Sequence, residues 1–163
     1  MKRKGYHQGK YQVRNPHKYV GNKAPFAHSS WEIKFMQFCD DHPGIVKWAC
    51  ENVRIPYHNP ITLKQTHYVP DFMVQYQDAQ GQTHVELIEI KPQGQTTLED
   101  AGRSARNQEQ VVINAAKWQA AEAWCKQRGV NFRIITEHQI FANKKKAQPK
   151  RQNKARIPKR KKS

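Results

Sequence analysis

Two runs of alternating residues, 68–76 (YVPDFMVQY) and 83–91 (THVELIEIK), flank the turn signal Asp78-Ala79-Gln80-Gly81 and restrict this stretch to an antiparallel β-hairpin. Gly81 is the residue that takes positive φ without steric cost. With a loop of three residues, 79–81, paired positions sum to 160, which sets Asp71 opposite Glu89. Side chains alternate faces with period two, so Glu89 and Lys91 then share the face of Asp71. A slip of one residue turns Asp71 to the other face, so the arrangement hangs on this register.

Directly opposed side chains lie roughly 5 Å apart at Cβ, and two carboxylates that close repel unless a cation or a shared proton lies between them. Oxygen ligands beside a phosphate suit Mg²⁺, with Mn²⁺ as its substitute. Such an ion polarises the phosphoryl oxygen and lowers the pKa of the attacking water, while Lys91 orients that water or stabilises the transition state. Asp71, Glu89 and Lys91 are therefore candidate residues for phosphodiester hydrolysis. Spacing alone leaves two plainer readings open: an E-x-K triplet on a solvated strand, or a surface ion pair between Asp71 and Lys91.

Charge distribution points independently to a polyanion. The 163 residues carry a net charge of +16, enough length for one domain with a modest core. Residues 1–23 hold seven Lys or Arg and residues 144–163 hold eleven, with no acid in either segment. Residues 24–143 carry the other 11 cations against all 13 acids, a balance of −2. The expected organisation is thus a basic, aromatic-containing arm (1–23), a nearly neutral core (24–143) and a basic tail (144–163) too poor in apolar groups to fold alone. Lys2, Arg3, Lys4, Lys10 and Arg14 in the arm, and Lys144, Lys145, Lys146, Lys150 and Arg151 in the tail, are candidate DNA contacts. The arm's Tyr6, Tyr11 and Tyr19 are placed either to stack on bases or to pack on the domain. A solubilising or nucleus-addressing tail is the competing reading.

Other classes find little support. The start MKRKGYHQGKYQ has no apolar run after its cations, and no stretch of eighteen apolar residues occurs, so neither a secretory signal nor a membrane partner is expected. Cys39, Cys50 and Cys125 are scattered without C-x-x-C spacing, which suits a reducing compartment and offers no zinc motif. No Gly-rich nucleotide loop or nucleophile motif suggests a small-molecule cofactor. His67, just before the first run, is a weak candidate for a phosphate contact and otherwise structural.

Around the hairpin the spacing predicts a helix opened by Ser29-Ser30-Trp31-Glu32, with Trp31, Phe35, Phe38 and Cys39 on its apolar side, stopped by His42-Pro43-Gly44. Residues 48–57 read as one strand or extended segment. A helix starts near Leu98 or Arg106 and runs to Arg128, with Val111, Ala115, Trp118, Ala121 and Cys125 as its apolar stripe and Gly129 as C-cap. Residues 130–136 form a last, buried strand. Glu32 has two readings: a capping-box carboxylate reaching back to the Ser29 amide, or a third carboxylate for the metal. Lys117 likewise either touches DNA or is solvated.

Taken in order, Ser30-Trp31-Glu32, Phe35-Met36, Ile55-Pro56-Tyr57, Tyr68-x-Pro70-Asp71-Phe72, Glu89-Ile90-Lys91-Pro92, Asn114-x-x-Lys117-Trp118 and Thr136-Glu137-His138 resemble the head-completion nucleases of tailed bacteriophages, relatives of TnsA-type endonucleases. The similarity spans about residues 9–140 and is weakest over 96–110. It implies an α/β, restriction-endonuclease-like core: a mixed central β-sheet flanked by helices, with a PD-(D/E)XK site and basic terminal arms. It also implies that Asp71, Glu89 and Glu32 hold the metal and that Lys91 is the catalytic lysine. By the same resemblance the protein is a Mg²⁺-dependent DNA endonuclease acting on packaged DNA at the end of head filling. Head or portal proteins are its partners, and the host cytoplasm or the virion is its location. The alternative is a DNA-binding structural head-completion protein without catalysis.

Overall fold

The computed structural model describes residues 8–142, so the cations at Lys2, Arg3, Lys4, Lys144, Lys145, Lys146, Lys150 and Arg151 lie outside the described residues. The elements in chain order are β1 (Gly9–Lys10), a 3₁₀ turn (Pro16–Lys18), β2 (Phe26–Ala27), α1 (Ser30–Asp41), β3 (Ile45–Cys50), β4 (Ile55–His58), β5 (Gln65–Tyr68), β6 (Phe72–Gln77) and β7 (Thr83–Ile90). A second 3₁₀ turn (Gln93–Gln95), α2 (Leu98–Ala101), α3 (Ala105–Arg128), β8 (Asn131–Ile135) and α4 (Glu137–Ala142) complete them. The central sheet has the order β3-β6-β7-β8, antiparallel except for the parallel pair β7/β8, whose connection contains α3. This is the expected mixed sheet flanked by helices.

The β6/β7 register agrees with the sequence: Phe72 faces Ile88 and Tyr76 faces His84. The Asp78 carboxylate accepts from the amides of Gln80 and Gln82, both at 2.9 Å, and Gly81 adopts φ 76, which fixes the three-residue loop. Ile88 and Ile90 pack with Phe35, Met36, Phe72 and Val74 on the α1 face. Leu87 packs with Trp118, Ala121 and Cys125 on the α3 face, and Met73 joins them. By alternation Asp71 and Glu89 therefore lie toward α3.

Several boundaries differ from expectation. Residues 48–57 are two strands, because Glu51 turns the chain at φ 44 and β4 leaves the main sheet to pair with β5. Tyr68 accordingly closes that small hairpin rather than opening β6. The second helical region is broken by Gly102 at φ 58 into α2 and α3. In α1 the buried residues are Phe35, Met36, Cys39 and Asp40, while Phe38 is 44 % exposed. At about 100° per residue, Phe38 points well round from Cys39, whereas Met36 lies only about 60° from it. In α3 the buried stripe runs through Asn114, and Ala115 beside it is exposed. Gly129 adopts φ 65, the left-handed C-cap.

The chain before α1 packs on the core from Tyr11 onward. Tyr11 and Tyr19 set ring edges against Trp48 at 6.0 and 4.8 Å, and the Val20 amide donates to the Trp48 carbonyl at 3.0 Å along the edge of β3. The buried Asp40 carboxylate accepts from the Tyr11 hydroxyl (2.9 Å) and from the amides of Arg14 (2.7 Å) and Asn15 (2.9 Å). Lys18, also buried, donates to the Asp40 and His42 carbonyls at 2.9 and 2.8 Å and so caps the C-terminus of α1.

Candidate active site

Asp71 immediately precedes β6, Glu89 is the penultimate residue of β7, and Lys91 follows that strand. The Asp71 carboxylate accepts from the Ile90 amide at 2.8 Å, and the Asp71 carbonyl accepts from the Glu51 amide at 3.0 Å, which fixes the side chain beside the end of β7. Glu89 is only 3 % exposed; its Oε2 accepts from the Tyr68 hydroxyl at 2.7 Å and its Oε1 lies 3.4 Å from the Lys91 Nζ. The Lys91 amide donates to the Ile135 carbonyl at 3.0 Å, anchoring its backbone to β8. Thus Lys91 pairs with Glu89 rather than forming a simple surface pair with Asp71.

Glu32 reaches this group from the first turn of α1. Its amide donates to the Ser29 hydroxyl at 3.2 Å, the forward half of a capping box. The returning carboxylate contact lands one residue earlier than expected, with Oε2 accepting from the His28 amide at 2.8 Å. The His28 ring in turn meets Glu51 at 2.9 Å. Capping and proximity to the site therefore coexist, because Oε2 is engaged at His28 while the charge stays within reach of Asp71 and Glu89.

The electrostatics are those of crowded acids. Burial, then the Glu89 charge, pushes the Asp71 carboxyl well above the usual range, with Glu32 adding to the rise. Burial likewise raises Glu32, and Glu51 and Glu89 add to it. Lys117 on α3 approaches from the other side: its ammonium lies 5.6 Å from the Tyr68 ring centre and 5.9 Å from that of Tyr57. Burial and the Lys91 charge lower its pKa, while Glu89 and Asp71 oppose that shift. A divalent cation would relieve the repulsion among the carboxylates. Among the described residues no group of three or more His, Cys, Asp or Glu side chains is arranged to hold a metal ion, but Mg²⁺ needs only one or two carboxylates with retained waters. The carboxylate oxygens of Asp71 and Glu89 suit that ion, with the Glu32 charge nearby.

The fold thus brings together Glu32, Asp71, Glu89, Lys91 and Lys117. Lys10 is exposed on β1 opposite Phe26, and the Arg14 guanidinium pairs with Asp41 at 2.7 Å. His67 is exposed on β5 and alternates away from Tyr68. Tyr68, Glu51 and His28 hold the candidate residues; sequence alone marks Tyr68 only as part of a motif, and Glu51 and His28 not at all. Tyr68 carried one usable signal, its position three residues before Asp71, but its contact with Glu89 depends on the β4–β5 hairpin folding over α3.

Residues 42–137 match the family described as TnsA-like endonuclease N terminal. The chain is also similar to the head completion nuclease of Enterobacteria phage T4, with 32% identity over 146 residues covering 83% of this chain and 95% of that relative. The family match covers the positions of Asp71, Glu89, Lys91 and Lys117 and begins after Glu32.

Proposed function

This chain belongs to the TnsA-like endonuclease family, and from that premise we propose that it is a Mg²⁺-dependent DNA endonuclease acting in phage head completion. The observation that carries the reading is the set of carboxylates Asp71, Glu89 and Glu32 near the Lys91 and Lys117 ammonium groups, with Asp71 and Glu32 raised by burial and by neighbouring acids. Asp71 and Glu89 would hold the ion, and Glu32, engaged at the His28 amide, would add its negative charge beside them. When bound, the ion would polarise the phosphoryl oxygen and favour ionisation of the attacking water. Lys91 would offset the negative charge that builds on the phosphoryl oxygens as water attacks and the sugar oxygen leaves, and Lys117 would supply a second cation nearby. The Ile90 amide and the Tyr68 hydroxyl fix the two strand carboxylates before substrate arrives, so little reorganisation accompanies the reaction.

The basic segments 1–23 and 144–163 would add sequence-independent affinity for DNA. The role in head filling, with head or portal proteins as partners in the host cytoplasm or the virion, is proposed from the T4 relative. Among the described residues no helix is long and apolar enough to cross a membrane. The deciding experiment incubates wild type and Asp71→Ala with linear and gapped DNA, in Mg²⁺, in Mn²⁺ or in chelator. Cleavage by wild type alone, and only with metal, is the expected result. Binding by both proteins without cleavage under any condition sinks the enzymatic reading in favour of a structural DNA-binding protein.

A further inference from the structure

The β4–β5 hairpin carries Tyr68 to the site at one end and two apolar side chains to solvent at the other. In the loop between these strands Ile61 is 46 % exposed and Leu63 72 % exposed. The loop is tightly fixed: the Asn59 side chain accepts from the Ile61 and Thr62 amides at 2.9 and 3.1 Å, the Leu63 amide donates to the Asn59 carbonyl at 2.9 Å, and the Asn59 amide donates to the Lys64 carbonyl at 2.9 Å. Leu63 adopts φ 60, a left-handed conformation that Gly or Asn takes readily and a bulky residue avoids. Folding stability alone selects neither the exposure nor the residue type. A stranded apolar group in a strained, rigid turn is the kind of feature that a binding surface accounts for.

Charge narrows the partner. Residues 52–70 contain no Asp or Glu, while Arg54, His58, Lys64 and His67 are all exposed on this hairpin. A surface of cations and histidines around an apolar tip suits a polyanion that also offers flat apolar faces, which is the description of nucleic acid bases and backbone. Leu63 stands five residues from Tyr68, so at no more than about 3.3 Å per residue the tip lies within roughly 16 Å of that tyrosine, inside the footprint of a short duplex.

We propose that Ile61 and Leu63 form an apolar wedge that lies against exposed bases of the bound DNA, so that the substrate class is DNA with an interrupted stack, a duplex end or a branch point. Inserting apolar side chains into a continuous duplex requires unstacking a base step, at a cost of a few kcal/mol, whereas at an end or branch one base face is already open. The wedge therefore discriminates by DNA structure without reading sequence. This inference rests on the DNA endonuclease reading, and its test does not depend on cleavage.

Full-length protein is mixed in chelator with duplexes carrying 2-aminopurine either at the terminal pair or at an internal pair. Wild type is expected to raise the terminal signal at least twofold and leave the internal one unchanged. The double variant Ile61→Ser, Leu63→Asn should lose that rise while binding single-stranded DNA within twofold of wild type. Asn tolerates the φ of Leu63, so the melting temperature should hold or increase, separating loss of the wedge from loss of the fold. The proposal is overturned if wild type gives no terminal signal, or if the double variant gives the same signal as wild type; the tip is then a contact for something other than DNA. Failure of wild type to cut any DNA in Mg²⁺ would instead strike the enzymatic reading and leave this fluorescence result standing.

Discussion

The Tyr68 hydroxyl donates to Oε2 of Glu89 at 2.7 Å, a buried contact that links the small β4–β5 hairpin to the end of β7. Glu89 is nearly enclosed, so this bond and the Lys91 ammonium fix its rotamer. Partners that orient a metal-holding carboxylate typically affect affinity by about 10- to 100-fold. Tyr68→Phe keeps the ring packing and removes only the hydroxyl. It should weaken Mn²⁺ binding, measured calorimetrically without DNA, by about tenfold or more, and lower cleavage in parallel at subsaturating metal. Metal affinity within twofold of wild type would show that Tyr68 serves packing alone.

Asp71 should make the metal-free protein less stable than a neutral analogue at pH 7. Its folded pKa is raised by burial and by Glu89, so the folded state holds the proton more tightly than the unfolded chain does. The contribution is fully favourable below the unfolded value of about 3.9 and is lost as pH rises through the raised folded value. Asp71→Asn cannot ionise and retains a carbonyl to accept from the Ile90 amide. In chelator at pH 7 it should melt at least about 2 °C above wild type, the shift that roughly 1 kcal/mol produces in a chain of this size. The gap should close toward pH 4, and Mg²⁺ should narrow it at pH 7 by stabilising wild type alone. A variant less stable than wild type at pH 7 in chelator would contradict the crowded-carboxylate account.

The parts of this site that sequence made legible are those fixed by local chemistry. Gly81 and Asp78 determine the loop, the loop determines the register, and the register places Asp71 against the end of β7. Ser29 likewise marks the start of α1 and hence where Glu32 sits. What stayed hidden depends on distant contacts. The turn at Glu51 is a single residue of positive φ with no glycine to announce it. The β4–β5 hairpin contains Pro56 and mostly exposed polar residues, a weak strand pattern that packing of Ile55, Tyr57 and Tyr68 on α3 overrides. Nothing in the spacing of Lys18 and Asp40 reveals that the end of α1 and the 3₁₀ turn meet.

Asp40 holds the N-terminal segment to the domain. Burial favours its neutral form, but hydrogen bonds from the Arg14 amide, the Tyr11 hydroxyl and the Asn15 amide outweigh it and keep the pKa below the usual value. A depressed acid contributes stability that is present above the unfolded value of about 3.9 and is lost as pH falls through the folded value. Asp40→Ala strands these donors and should cost about 3 kcal/mol, the order expected when buried donors lose their acceptor. That corresponds to a melting temperature lower by about 6–12 °C at pH 7. Because Tyr11 and Tyr19 shield Trp48, its fluorescence should also redden. Wild-type stability and emission in the variant would mean that the segment is held by its aromatic packing instead.

The basic tail should act on affinity without acting on the metal site. Residues 144–163 carry eleven of the 29 Lys and Arg and no acid, whereas residues 24–143 are slightly acidic, so most attraction to a phosphate backbone must come from outside the core. Each phosphate neutralised releases counterions and contributes about −0.9 to the slope of log affinity against log salt on duplex DNA. Deleting residues 144–163 should flatten that slope by about 3 or more, the equivalent of roughly three or four lost phosphate contacts, and weaken binding most at low salt. Mn²⁺ binding should stay within twofold, since Asp71, Glu89 and Glu32 are held by Ile90, Tyr68 and His28, none of which belongs to the tail. An unaltered salt slope would assign the electrostatic footprint to the remaining cations, Lys117 and the N-terminal segment among them, and would leave the tail a solubilising role.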